Sequence, residues 1–123
     1  MIAVRIGMGA FLVVLMTGCG GGSTMSTPTT PATPAPVTVS ILSSARTLGP
    51  AAYVPNPVMV PVGTKLTWSN TDTTTHDMVS DGGVWDSGRI APGNQFDFTF
   101  QSKGTFPYHC SIHAGMVGTV VVQ

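Results

Sequence analysis

Beyond the first third of the chain, apolar and polar residues alternate with a period of two, which is typical of half-buried β-strands. The alternation is clearest where Leu66 and Trp68, and later Phe96, Phe98 and Phe100, are separated by polar residues. Turn signals containing Gly, Pro, Asn or Asp separate some seven such runs, and no stretch carries a helical stripe. We therefore predict an all-β fold, an antiparallel Greek-key β-sandwich.

Pro107 is an unusual residue for the run 105–110, which otherwise has the pattern of a strand. Proline has no backbone N–H to donate to a neighbouring strand. We therefore expect the nitrogen of Pro107 to face a sheet edge or a break in the adjacent strand.

The N-terminal segment has a different character, that of an export signal. Arg5 precedes the apolar run Ile6–Met16, which is too short to span a bilayer as a mature helix. The following residues, Leu15–Cys19, resemble the lipobox of bacterial lipoproteins, in which the cysteine becomes the lipidated first residue of the mature chain. The resemblance implies lipidation at Cys19, and the alternative is an ordinary signal peptide with an incidental cysteine.

A second compositional block, rich in Gly, Ser, Thr and Pro, follows the candidate lipid anchor and cannot bury a core. It fits a flexible tether that holds a folded domain away from a membrane. The sequence thus predicts a lipoprotein-type signal peptide at 1–18, an anchor cysteine with a disordered linker at 19–36, and one folded domain at 37–123. We expect the domain on the periplasmic or cell-surface side of a bacterial membrane.

Composition excludes several classes of function. Only 8% of the 123 residues are charged, and the five Lys and Arg balance five Asp and Glu, so no basic stripe exists to bind nucleic acid. The chain has three His, two Cys and no Glu, which rules out paired-glutamate acid–base chemistry and multi-histidine metal clusters. Few chemistries remain for a single small domain.

The candidate chemistry lies near the C-terminus. If Cys19 is lipidated or removed, Cys110 is the last thiol of an exported chain, where a lone thiol is a liability unless it is buried or bound to a metal. His113 and Met116 follow at intervals of three residues, a spacing that suits a tight loop around one ion, and His76 is a candidate fourth ligand. Two imidazoles, a thiolate and a thioether form a soft set that favours copper over zinc.

These residues and their surroundings resemble a cupredoxin of the plastocyanin and amicyanin type. The resemblance implies His76, Cys110 and His113 as equatorial ligands of one type 1 copper and Met116 as the axial ligand. It is carried by the turn around His76 and by the segments 53–55, 60–70, 104–110 and 116–122. The family usually has Asn after the first histidine and often Pro in the ligand loop, whereas this chain has Asp77 and Ile112.

The resemblance also implies a function. We expect a non-enzymatic, monomeric carrier that passes single electrons between redox proteins by transient docking, with Asp77 and Ser111 beside the ligands. The alternatives are a copper-binding module for buffering or delivery and a purely structural sandwich on a lipid anchor. Strand alternation places His109 on the face opposite Cys110, and we interpret the aspartates between positions 72 and 86 as a solvated face.

Overall fold

A computed structural model describes residues 30–123 of the chain. The predicted signal peptide at 1–18, the anchor residue Cys19 and most of the predicted linker lie outside the described residues. Residues 30–36 belong to no helix or strand, and the first strand begins at Val37.

The described residues form eight strands and two short 3₁₀ helices. No helix in this part of the chain has the length and apolar character needed to cross a membrane. The helices span Ala45–Thr47 and Gly49–Ala52, and the strands are β1 (Val37–Ile41), β2 (Tyr53–Val54), β3 (Val58–Val60), β4 (Lys65–Asn70), β5 (Val79–Ser80), β6 (Gln95–Thr99), β7 (Gly104–His109) and β8 (Val117–Val122).

The strands form two four-stranded sheets, in the orders β2-β1-β4-β6 and β3-β8-β7-β5. This confirms the predicted all-β sandwich. Each sheet also contains one parallel pair, β1 with β4 and β3 with β8, so the sheets are mixed rather than purely antiparallel. The chain between β1 and β4 includes both 3₁₀ helices and two other strands, and this long crossover lets β4 run in the same direction as β1.

Aromatic side chains fill the space between the sheets. Trp68 of β4 is fully buried, and its ring centroid lies 5.5 Å from those of both Trp85 and Tyr108. The ring of Tyr108 also packs on that of Tyr53, with centroids 5.0 Å apart. These rings are in the range of favourable aromatic pairs, and their burial provides much of the apolar surface that stabilises a small domain.

Pro107 lies within β7 at the position where the neighbouring strand β5 has just ended. Pro107 pairs with Thr119 of β8 on one side. On the other side, its carbonyl accepts a hydrogen bond of 3.0 Å from the N–H of Asp81, just beyond β5. The strand therefore accommodates the missing N–H at a break in its neighbour, as expected from the sequence.

Gly118 provides a test of this packing. It pairs with Tyr108 across β7 and β8, and an added Cβ would lie 2.3 Å from a ring carbon of that tyrosine, which Tyr53 and Trp68 hold in place. We predict that Gly118→Ala lowers the free energy of unfolding by about 1–3 kcal/mol, the usual cost of overpacking. Chemical denaturation of the apo-protein measures this change in the free energy of unfolding. Gly82→Ala is the control, since its Cβ meets nothing closer than 4.0 Å, and equal losses in both variants would contradict the prediction.

Candidate metal centre

Two loops at one end of the sandwich bring the candidate ligands together. His76 lies between β4 and β5, where its N–H donates to the carbonyl of Ile90 and its carbonyl accepts from the N–H of the same residue. Cys110 directly follows β7, and His113 lies three residues later in the loop that leads to β8. Backbone hydrogen bonds hold the first loop and the β7–β8 hairpin holds the second, so the fold itself positions these side chains.

Three donor atoms form a compact triangle. The Nδ1 atoms of His76 and His113 are 3.1 Å apart, and the Sγ atom of Cys110 lies 3.9 Å from the first and 3.8 Å from the second. With bond lengths of about 2.0 Å to nitrogen and about 2.3 Å to sulfur, as for Zn²⁺, a trigonal ion needs donors about 3.5–3.7 Å apart. The triangle is therefore of the right size for one metal ion.

Met116 is also buried at this end of the sandwich, with no exposed surface. Its carbonyl accepts a hydrogen bond of 3.0 Å from the N–H of Cys110, which closes the ligand loop. The loop therefore keeps the soft thioether and thiolate residues adjacent, and the donor set matches the soft ligands that copper prefers.

The imidazole of His76 is oriented by a buried carboxylate. Its Nε2 atom lies 2.9 Å from Oδ2 of Asp72 and 3.0 Å from the hydroxyl of Thr74. Since a carboxylate only accepts hydrogen bonds, Nε2 carries the proton, and the lone pair of Nδ1 is left for a metal. The side chain of Asp72 is thus a positioning group for one of the candidate ligands.

Asp72 is itself held by several donors. Its Oδ1 atom accepts hydrogen bonds from the N–H groups of Ser44 and Thr73, and its Oδ2 atom accepts from the hydroxyl of Thr74. Burial raises the pKa of this carboxyl, but the hydrogen bonds from His76 and these donors outweigh burial and hold the pKa well below its usual range. The carboxylate is therefore charged at neutral pH.

The interpretation of the aspartates as a solvated face is wrong for Asp72 and Asp77, which are only 5% and 8% exposed. It holds for Asp81 and Asp86, which are exposed. All four are similar in local sequence, since each lies in a polar, turn-rich stretch. Only the pairing of the β4–β5 connection with other parts of the chain distinguishes the buried aspartates from the exposed ones.

Asp77 connects the two ligand loops. Its Oδ1 atom accepts a hydrogen bond of 2.6 Å from the N–H of Ser111, and its Oδ2 atom accepts from the Ser111 hydroxyl. Burial raises the pKa of Asp77, but the two hydrogen bonds from Ser111 oppose it, and the pKa is lowered overall. A charged group next to His76 therefore fixes the position of the segment that carries Cys110.

His109 points away from the donor triangle. Its side chain is 43% exposed, whereas Cys110 is buried, and its Nδ1 atom lies 2.6 Å from Oδ1 of Asp81. This agrees with the expectation that the two neighbours face opposite sides. His109 does not join the cluster formed by His76, Cys110 and His113.

In the part of the chain that the structure describes, a β-sandwich brings two imidazoles and a cysteine thiol together at one end, in a cluster that could hold a soft metal ion. The family model of the cupredoxin-like domain matches residues 12–122, and the chain belongs to that family. Plastocyanins are among its relatives: that of Mercurialis perennis is 38% identical over 91 residues, which are 61% of this chain and 91% of the plastocyanin. The plastocyanin of Cucumis sativus has the same identity and coverage.

Solved structures show the same fold. A purple cupredoxin from Nitrosopumilus maritimus has a TM-score of 0.65 and 30% identity, over 71% of this chain and 99% of the other. A variant of amicyanin with Cu(I) has a TM-score of 0.61 and 26% identity, over 71% and 81% of the two chains. A copper-containing nitrite reductase from Thermus scotoductus has a TM-score of 0.60 and 26% identity, but this chain covers only 22% of that enzyme.

The role of Asp72 as a positioning group can be tested with a metal that has no redox chemistry. We predict that Asp72→Ala weakens Zn²⁺ binding about 10- to 100-fold, because the His76 ring loses the partner that fixes its tautomer and orientation. Competition with a chromophoric chelator measures the affinity. Asp86→Ala, which removes an exposed carboxylate, is the control, and an unchanged affinity in Asp72→Ala would argue against the positioning role.

Proposed function

We propose that this protein is a type 1 copper electron-transfer protein that carries single electrons between redox partners outside the cytoplasm. One copper would be held by His76, Cys110 and His113, with Met116 as the axial ligand. The observation that carries the proposal is the triangle of two Nδ1 atoms and one Sγ atom, all within 4 Å of one another, in a chain of the cupredoxin family.

The donor set supports copper as the resident metal. Zinc sites are built from Cys, His and carboxylates, whereas a His₂Cys plane with a weak Met is the arrangement of electron-transfer copper sites. When bound, copper supplies a one-electron couple between Cu(II) and Cu(I). The protein's part is to hold the four donors in nearly the same positions in both states, which keeps reorganisation during electron transfer small.

Several contacts support such rigid placement. The hydrogen bond between Asp72 and His76 fixes one imidazole, and the bonds between Asp77 and Ser111 fix the loop that carries the thiol. The hydrogen bond from the N–H of Cys110 to the carbonyl of Met116 closes that loop. His76 and Cys110 are therefore held by the protein fold as well as by any metal.

The surface around His113 suits transient docking. Unlike the buried His76, this residue is only half-buried, and Ile112, Ala114 and Gly115 next to it are half-buried or exposed. A small apolar surface that contains one ligand edge provides a short electron path and a weak, short-lived interface. We propose that redox partner proteins dock here and that the protein is a monomer.

The optical spectrum tests the proposed function. We predict that Cu(II) produces an intense visible thiolate-to-copper band, which disappears on reduction with ascorbate, returns on oxidation and is lost after removal of copper with a chelator. In Cys110→Ser this band is absent, because the sulfur ligand is replaced. Tight Cu(I) binding without the band would instead support copper buffering or delivery, and the absence of copper binding would leave a structural sandwich.

We also propose that residues 19–36 tether the domain 37–123 to a bacterial membrane through a lipid on Cys19. The basis is the apolar leader followed by a lipobox-like segment and a flexible stretch rich in Gly, Ser, Thr and Pro.

Fractionation of cells that express the full chain tests the anchor. We predict that most of the protein is found with membranes at its mature length. In Cys19→Ser the acylation site is lost, so the protein should either appear in the soluble fraction or keep the length of the unprocessed chain. Ser23→Ala, a change in the linker that leaves the cysteine intact, should not alter the distribution. A soluble wild-type protein of mature length would contradict lipidation.

A further inference from the structure

The proposed copper site contains two buried carboxylates close to its ligands, and this inference rests on the proposed function. We infer that Asp72 and Asp77 together favour the doubly charged copper ion over the singly charged one and so set a low reduction potential for this donor set. The chain would then accept electrons only from comparatively strong reductants.

The two carboxylates reach the ligands from different directions. Asp72 accepts a hydrogen bond from Nε2 of His76, on the side of the ring that faces away from the donor triangle. Asp77 follows His76 in the chain and binds the N–H of Ser111, the residue after Cys110. One carboxylate therefore acts through an imidazole ligand, and the other lies beside the loop that carries the thiolate.

No lysine or arginine among residues 30–123 forms an ion pair with either carboxylate. Both side chains are more than nine-tenths buried. The one ion pair that involves a lysine or arginine in this part of the chain joins Lys65 to Asp97. With the thiolate of Cys110, the site has three negative charges, which leave a net charge of −1 around Cu(II) and −2 around Cu(I).

This difference in net charge determines which oxidation state is favoured. The attraction between a carboxylate and the ion is proportional to the charge of the ion, and screening is weaker for buried groups than for exposed ones. Each carboxylate therefore stabilises Cu(II) more than Cu(I). In addition, a carboxylate that accepts a hydrogen bond from Nε2–H makes the imidazole of His76 a stronger electron donor to the metal.

A purely structural role for the carboxylates is the competing explanation, and matched substitutions separate the two. Asp72→Asn and Asp77→Asn remove a charge but keep the size and one oxygen acceptor. Ser111→Ala keeps the charge of Asp77 and removes one of its hydrogen bonds. If the charge matters, the reduction potential changes in the Asn variants but not in Ser111→Ala. If only the position of the loop matters, the potential changes in Ser111→Ala as well.

Voltammetry of the copper-loaded full chain measures the effect. We expect each Asn substitution to increase the Cu(I)-to-Cu(II) ratio of binding constants about tenfold or more, which is a rise of about 59 mV in potential per tenfold change. In the double variant, the fold-change of this ratio should be about the product of the fold-changes in the two single variants. Asp86→Asn, which removes an exposed carboxylate, should change the ratio less than about twofold.

A second measurement does not depend on redox cycling. Zn²⁺ and Cu(I) have filled d shells but differ in charge, so both Asn substitutions should weaken Zn²⁺ binding more than Cu(I) binding. Chelator competition with each metal measures this difference. If Asp72→Asn does not fold, Asp77→Asn is compared with Ser111→Ala, and if Asp77→Asn does not fold, Asp72→Asn is compared with Asp86→Asn.

Distinct outcomes would overturn the inference and the proposed function. A reversible visible band in the wild type, with potentials in both Asn variants equal to the wild-type value, would overturn the inference alone. A shift in Ser111→Ala as large as that in Asp77→Asn, or an equal shift in Asp86→Asn, would also overturn it. A wild-type protein without a reversible band would instead contradict the proposed function.

Discussion

The structure depends on one constraint: two separate segments must place two imidazoles and a thiol within about 4 Å of one another in a largely buried setting. Without a metal, polar groups this close would be poorly satisfied in an apolar core. The fold meets the constraint by hydrogen bonding the loop of His76 to the stretch around Ile90 and by placing Cys110 at the end of a central strand. The aromatic core between the sheets then fixes the distance between the two segments.

Asp72 and Asp77 also hold the ligands in place, since each connects a candidate ligand loop to another part of the chain. Asp72 joins His76 to the N–H of Ser44 at the first 3₁₀ helix, and Asp77 joins the loop of His76 to Ser111. Buried carboxylates are costly unless hydrogen bonds compensate them, and both are well supplied with donors. Their charges nevertheless remain next to the metal position, so that the groups that position the ligands also act on the metal electrostatically.

The architecture could be predicted from the sequence because strand alternation is a local pattern. Leu66 and Trp68 are buried as their spacing indicates, and the position of Pro107 opposite the end of β5 follows from its missing N–H. The parallel pairing of β1 with β4 could not be predicted in this way, because the same alternation fits parallel and antiparallel neighbours. The predictions for residues 1–29 concern a part of the chain outside the described residues and stay predictions.

The sequence by itself determined the set of candidate ligands, because the spacing of Cys110, His113 and Met116 and the presence of only three histidines left few alternatives. The family resemblance placed Asp77 beside the ligands, but nothing in the sequence indicated Asp72. Asp72 and Asp77 differ from the exposed Asp81 and Asp86 only in where the β4–β5 connection packs. Burial and hydrogen bonding to residues 28 and 34 positions away arise only in the folded chain, so the tertiary structure alone decided that Asp72 joins Asp77 next to the ligands and that Asp81 and Asp86 do not.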